Sequence, residues 1–215
     1  MSSAWRAVEG ALLFVALPVL QAAGWLPIPV LLLLMLAAIG CGLKLRADRA
    51  LNARDAFRLR APPGEWRRML MIFALAALLL AAVVWAFLPG SLFWLPRNRP
   101  GIWLLVMVIY PLVSVYPQEI IFRAFFFHRY RGLFGSGTAM IAASSIAFAF
   151  AHITFHNWVA VALTLPGGIL FGRSYERTRS LTFVACEHAL YGGFVFTIGL
   201  GRFLLEGTFR LTNGG

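Results

Sequence analysis

The segment SVYPQEIIFRAFFFHRY, residues 114–130, decides the fold class of this chain. It is a long apolar run that nevertheless contains Glu119 and Arg123. A charged side chain near the centre of a lipid bilayer costs on the order of 3 kcal/mol. Residues four positions apart share one face of an α-helix, so these two side chains can pair there. The segment therefore predicts a membrane helix with a buried polar centre.

The rest of the chain has the composition of a polytopic membrane protein. Hydrophobic residues make up 60% of the 215 positions. Residues 69–96 and 132–172 contain no Asp, Glu, Lys or Arg, and about 20 apolar residues suffice to cross a bilayer as a helix. Continuous apolar runs favour helices over the strands of a β-barrel, which alternate in polarity. We expect an all-α membrane helix bundle that forms a single integral membrane domain over residues 1–215.

The apolar pattern predicts about seven transmembrane helices. They are expected at residues 9–26, 28–43, 69–89, 102–128, 138–156, 158–173 and 181–200. The prolines of GWLPIP, residues 24–29, break the first apolar run into a hairpin. Because that run continues to Leu43, we expect a membrane hairpin here and not a cleaved signal peptide. In the sixth helix, Pro166 predicts a kink, and Gly168 and Gly172 form a GxxxG pattern that permits close helix approach.

The distribution of positive charge predicts the orientation of the bundle. Residues 44–68 form a basic segment that we expect in the cytoplasm, either as an interfacial amphipathic helix or as a loop that only sets topology. With a cytoplasmic N-terminus, all but four of the 19 Lys and Arg residues fall on the same side as this segment. This bias matches the positive-inside rule. We expect an integral protein of the bacterial inner (plasma) membrane, in contact with the lipid bilayer, and no nucleic acid is needed to explain the net charge of +11.

Three of the predicted helices each carry a polar side chain that lipid does not favour. These side chains are Glu119, His152 and His188, and at a rise of about 1.5 Å per residue they lie at similar depths. His156 follows one turn beyond His152. Glu187 is also intramembrane, but it points about 100° away from His188. The convergence of three costly groups predicts a functional site in the membrane.

This set of residues suits hydrolysis by water. Glu119 is a candidate general base, and Arg123 is a candidate group to orient it. His152 and His188 could donate hydrogen bonds to an oxyanion or could bind a metal ion that activates water. No Ser or Cys lies convincingly beside a histidine on one helix face, so covalent catalysis has less support. We interpret four further residues as packing residues: Cys41, Ser144, Ser145 and Cys186.

Simpler interpretations remain open for the individual residues. Glu119 and Arg123 alone could form a buried ion pair that fixes helix packing. His152 alone could be a core histidine with satisfied hydrogen bonds. A small proton-coupled transporter would use the same side chains as a proton relay, although the sequence shows no inverted repeat.

The motifs QEIIFR (118–123), FAFAH (148–152) and HALYG (188–192) resemble, in this order, the three motifs of the CPBP family. This is the CAAX protease and bacteriocin-processing (Abi) family of intramembrane proteases, with the pattern EExxxR, FxxxH and HxxxN or a variant. The resemblance covers residues 105–200, the expected catalytic core. It implies an intramembrane endopeptidase that cleaves a membrane-anchored protein or peptide, of the CAAX type or with a C-terminal membrane tail. Its catalytic residues would be Glu119, Arg123, His152 and His188, with Phe148 in support.

Two positions depart from the family pattern. Gln118 stands where the family usually has its first glutamate, and Gly192 stands where Asn or Asp is common. Either Glu119 serves as the base in this chain, or the protein is a non-catalytic membrane immunity or scaffold protein that keeps the CPBP fold. His156 and Glu187 are candidates to replace the missing polar groups.

The resemblance leaves the cofactor open. Glutamate-activated water needs no cofactor, whereas a zinc-dependent mechanism would use His152 and His188 as metal ligands together with Glu119. These are residue types that zinc accepts, but three helices must converge to bring them together.

Overall fold

The computed structural model describes residues 2–49, 59 and 61–204, and within these residues it contains helices and no strand. The seven long helices are α1 (Ser3–Ala22), α2 (Val30–Ala47), α3 (Glu65–Phe87), α4 (Pro100–Arg129), α5 (Thr138–Phe155), α6 (Trp158–Thr178) and α7 (Leu181–Thr197). Short helical turns occur at Pro89–Ser91, Trp94–Asn98 and Arg131–Phe134. Each predicted helix is therefore present, with shifted ends. The largest shift is at α1, which begins at Ser3 because the Ser2 hydroxyl caps the Trp5 amide at 3.3 Å.

Five helices, α1 to α5, are long and apolar enough to cross a membrane. Helix α7 has only 17 residues, and α6 carries charged residues in its last turns. The structure thus supports an all-helical membrane protein with five candidate spans. A count of seven spans and a cytoplasmic N-terminus stay predictions.

The chain breaks between the first two helices at the predicted position. Helix α1 ends at Ala22 and α2 begins at Val30, so the chain leaves helical geometry across the proline-rich GWLPIP segment. The basic segment 44–68 begins as the last turn of α2 and ends as the first turn of α3. Its middle, residues 50–58 and 60, lies outside the described residues, and so does the predicted interfacial helix.

Helix α4 is not a regular α-helix, and its irregular turns surround the candidate site. Turns of π-helix occupy Pro111–Val115 and Ile120–Phe125, on either side of Tyr116–Glu119. Prolines at 111 and 117 lack the N–H group that a regular helix needs, which loosens the backbone there. Such π-helical turns often occur at functional sites. Here they determine the direction in which the polar centre of α4 faces.

Helices α5 and α6 pack closely through two glycines. A Cβ atom at Gly168 would lie 3.0 Å from Ser145 Cα, and one at Gly172 would lie 3.2 Å from Ile141 Cγ2. The close approach predicted from the GxxxG pattern is confirmed, and α6 continues unbroken through Pro166. This contact places aromatic side chains of α6 against those of α5.

Cys41 is buried, as expected of a packing residue, but Cys186 is exposed on α7, so its interpretation as a packing residue was wrong.

Glu9 in α1 forms a two-point ion pair with Arg129 at the end of α4, with N–O distances of 2.8 and 2.6 Å. This pair fastens α1 to the helix that carries the candidate site.

Candidate active site

Glu119 lies in the middle of α4, and its side chain is 0% exposed. Its Oε1 atom accepts a hydrogen bond of 2.7 Å from Nδ1 of His188 on α7. Its Oε2 atom lies 3.3 Å from Nε of Arg123, whose side chain is also 0% exposed. The predicted pairing of Glu119 with Arg123 is therefore present. The carboxylate has a cation on one oxygen and a hydrogen-bond donor on the other.

The guanidinium of Arg123 is held by polar and aromatic contacts. Its Nη1 atom donates a hydrogen bond of 2.8 Å to the Ser144 hydroxyl, which in turn donates to the Phe122 carbonyl at 2.7 Å. Its Cζ atom lies 5.1 Å from the centre of the Phe148 ring and 5.9 Å from that of Phe171. Both distances allow cation–π attraction. Arg123 is thus a fixed counter-charge for Glu119.

Ser144 has a role in the site that the sequence interpretation missed. It was expected to be a packing residue, whereas its hydroxyl fixes Arg123. Ser144, Phe148 and His152 are spaced four residues apart on α5 and share one face of that helix. That spacing was the signal that could have identified Ser144.

Both ring nitrogens of His188 have partners. Because a carboxylate only accepts hydrogen bonds, Nδ1 carries the proton that it donates to Glu119. The Nε2 atom then accepts a hydrogen bond of 3.2 Å from the Tyr110 hydroxyl. The ring stacks on Phe171, with centroids 4.5 Å apart and planes 19° apart. The imidazole is therefore fixed in position, in orientation and in tautomer.

Tyr110 was not among the predicted site residues. It lies on α4 directly before the π-helical turn that begins at Pro111. Gly192 of α7 leaves space for it, because a Cβ atom at Gly192 would overlap the hydroxyl and ring of Tyr110. The glycine that departs from the family pattern is therefore the residue that admits this tyrosine to the site.

His152 begins the last turn of α5 and is 9% exposed. Its Nδ1 atom donates a hydrogen bond of 2.7 Å to the Phe148 carbonyl, so the Nε2 atom of the neutral ring is left as an acceptor. Its ring also contacts the ring of Phe148, with centroids 4.7 Å apart. The expected common face of Phe148 and His152 is present.

A largely apolar chamber of about 1100 Å³ adjoins these groups. All seven long helices contribute to its wall, mostly with aliphatic and aromatic side chains. Its polar wall residues include Tyr110, Gln118, His152 and His188. Glu119 was expected to meet water directly, but its side chain is fully buried. His188 contacts both the chamber and Glu119, so it connects the two.

Gln118 faces the chamber at the position of the missing family glutamate. Its Nε2 atom donates a hydrogen bond of 2.8 Å to the Ser114 hydroxyl. Its Oε1 atom is buried and has no hydrogen-bond partner within the described part of the chain. The amide is therefore a polar group in the wall with one oxygen free to accept a hydrogen bond.

The structure does not bring the two other predicted supporting residues into the chamber. Glu187 is 2% exposed and lies in a separate pocket of about 40 Å³, together with Glu65, Arg68 and Ser174. His156 is exposed at the end of α5, in a left-handed backbone conformation. Neither residue replaces the polar groups that the motifs lack.

The residues present do not fit a zinc site. Among the described residues, no group of three or more His, Cys, Asp or Glu side chains could hold a metal ion. His188 would also have to give up Glu119 or Tyr110 to become a ligand, because a neutral imidazole offers only one lone pair. The predicted metal role of His152 and His188 therefore lacks a suitable donor set.

Comparison with protein families identifies the class of the central segment. Residues 100–194 match the family described as Rce1-like, type II CAAX prenyl endopeptidase Rce1-like. This match confirms the resemblance to the CPBP family of proteases over this segment. No curated protein and no solved structure matches the chain. The matched segment contains all three motifs and runs from the first residue of α4 into α7.

Proposed function

We propose that this protein is an intramembrane endopeptidase that hydrolyses a peptide bond of a membrane-anchored protein or peptide. The observation that carries the proposal is the hydrogen bond of 2.7 Å between the buried Glu119 carboxylate and His188, at the wall of a large apolar chamber. A carboxylate that holds one imidazole nitrogen protonated leaves the other nitrogen available as a base. In this chain, Glu119 would therefore activate water indirectly, by way of His188.

The geometry supports a division of roles among the predicted catalytic residues. Glu119 holds the Nδ1 proton of His188 and stabilises the imidazolium that forms when His188 accepts a proton. Arg123 keeps Glu119 in place and supplies its counter-charge. His152 lines the chamber, where its Nε2 atom can orient water or, once protonated, donate a hydrogen bond to the oxyanion.

The chamber supports the substrate class. Its largely apolar wall suits a lipidated C-terminus or a transmembrane tail, because such a segment brings apolar surface with it. The protein would act within one integral membrane domain, with its N-terminus and basic segment 44–68 in the cytoplasm. The bacterial inner membrane is the proposed location.

The test is cleavage in reconstituted vesicles. Purified protein is incubated with membrane-anchored peptides that end either in a prenylated CAAX-type C-terminus or in a transmembrane tail, and products are identified by mass spectrometry. We expect one peptide class to be cleaved by wild type and not by His188→Gln. Equal cleavage by wild type and His188→Gln would refute the proposed chemistry.

A scaffold that keeps the fold without activity is the second candidate, because Gln118 replaces a family carboxylate at the chamber wall. It predicts that both peptide classes remain intact while wild type still retains them after detergent extraction. Retention should then persist in His188→Gln.

A further inference from the structure

We infer that the Tyr110 hydroxyl is a further catalytic group, which carries the proton of the attacking water to His188. This inference rests on the proposed function. While Nδ1–H of His188 donates to Glu119, only the Nε2 atom of that ring can accept a proton. The structure places the Tyr110 hydroxyl 3.2 Å from that nitrogen.

A neutral imidazole nitrogen accepts one hydrogen bond. While Tyr110 donates to Nε2, a water molecule in the chamber cannot use the same lone pair. The Tyr110 oxygen, however, retains acceptor capacity, and Tyr110 belongs to the chamber wall. A chamber water can therefore donate to the Tyr110 oxygen, which makes a continuous path from water through Tyr110 and His188 to Glu119.

Tyr110 is held in this position by three neighbours. Its ring packs edge-on against Phe196, with centroids 5.2 Å apart and planes 71° apart. Gly192 provides the space for its hydroxyl, as a Cβ atom there would overlap it. The backbone of α4 changes to a π-helical turn at the next residue, Pro111. The Phe196 contact, the space at Gly192 and the π-helical turn together hold the hydroxyl beside His188.

One O–H bond of water breaks and its proton passes to the Tyr110 oxygen, while the Tyr110 proton passes to Nε2 of His188. The water oxygen forms a bond to the peptide carbonyl carbon, which leaves an oxyanion and an imidazolium. The proton returns by the same route to the amine nitrogen as the C–N bond breaks, and both side chains regain their starting states.

The decisive variant is Tyr110→Phe, which removes the hydroxyl and keeps the ring. The matched control is Tyr130→Phe, because the Tyr130 hydroxyl is buried, donates to Glu9 and lies outside the chamber wall. General acid–base groups contribute about 10²- to 10⁴-fold, so Tyr110→Phe should lower kcat by about 100-fold or more with KM unchanged. Tyr130→Phe should retain the wild-type kcat.

Two further measurements separate proton transfer from a merely structural role. In mixtures of light and heavy water, wild-type kcat should depend on deuterium content along a curve, since two protons move together. A straight line for wild type would overturn the inference. Gly192→Ala should lower kcat as Tyr110→Phe does, because the new methyl group displaces the hydroxyl, and the two changes combined should lower it no further.

A measurement without substrate distinguishes failure of this inference from failure of the proposed function. In protein labelled with ¹⁵N-histidine, the Nε2 resonance of His188, assigned with His188→Gln, should move in Tyr110→Phe and stay in Tyr130→Phe. An unmoved resonance overturns the inference whatever the activity. An active wild type with an equally active Tyr110→Phe overturns the inference alone, whereas an inactive wild type refutes the proposed function.

Discussion

Replacement of Glu119 by glutamine tests the polar centre of α4 most severely. The change keeps the shape of the side chain and removes its charge. Arg123 then lies fully buried, 3.3 Å from a neutral amide, and His188 loses a charged acceptor at 2.7 Å. The variant therefore affects both the stability of the fold and the proposed reaction, and the two effects are measured separately.

Burial determines the expected loss of stability. Both members of the ion pair are 0% exposed, so the relevant range is about 3–5 kcal/mol for breaking a buried pair, not the 0–1 kcal/mol of a surface pair. Glu119 and Arg123 lie on the same helix, and that helix persists in the membrane after the bundle comes apart. Because part of the pairing survives in this reference state, we expect a loss near 3 kcal/mol, the low end of the range.

Loss of activity should be the larger effect. Amide replacement of the carboxylate that holds a catalytic histidine in its tautomer costs about 10⁴-fold in a Ser–His–Asp triad, so Glu119→Gln should reduce kcat by at least 100-fold in vesicles. Stability is followed by thermal unfolding in detergent, and cleavage is compared at a temperature where the variant is folded. The matched control is Glu187→Gln, which removes an equally buried carboxylate from a separate pocket. A folded Glu119→Gln that cleaves at the wild-type rate would refute the reasoning.

Three further outcomes are expected. Ser144→Ala removes the hydroxyl that binds Arg123 and should destabilise the protein by about 1–3 kcal/mol, because a buried donor loses its acceptor; an unchanged unfolding temperature would contradict this. Gly168→Ala forces a Cβ atom to 3.0 Å from the Ser145 backbone and should cost about 1–3 kcal/mol, whereas Gly40→Ala, with open space around it, should not destabilise the fold. Cleavage should be unaffected by a metal chelator, since no donor group among the described residues suits a metal ion; loss of activity that zinc restores would show this to be wrong.

The sequence was sufficient for features that depend on regular helical spacing. The pairing of Glu119 with Arg123 follows from their separation of four residues, and the structure shows it at 3.3 Å. The contact of α5 with α6 follows from the GxxxG pattern. Both contacts depend only on residues spaced four apart on a regular helix, so the spacing in the sequence is enough to predict them.

Tyr110 could not be predicted in the same way. Nine positions separate it from Glu119, which places the two on opposite faces of a regular α-helix, about 180° apart. The π-helical turn between them changes that register, and both residues contact His188. Proline at 111 loosens the helix, but a proline alone does not predict a π-helical turn. The burial of Glu119 behind His188 was missed for a related reason, because depth along a helix does not say which side chain reaches the chamber.

The most direct test of the account is the origin of the oxygen in the product. Wild type and Glu119→Gln are incubated in vesicles with the cleaved peptide in ¹⁸O-labelled water, and the new C-terminal carboxyl group is analysed by mass spectrometry. The account predicts one ¹⁸O atom in that carboxyl group with wild type, and almost no product with the variant. Labelled product formed equally fast by folded Glu119→Gln would contradict the central claim that Glu119, through His188, activates the water.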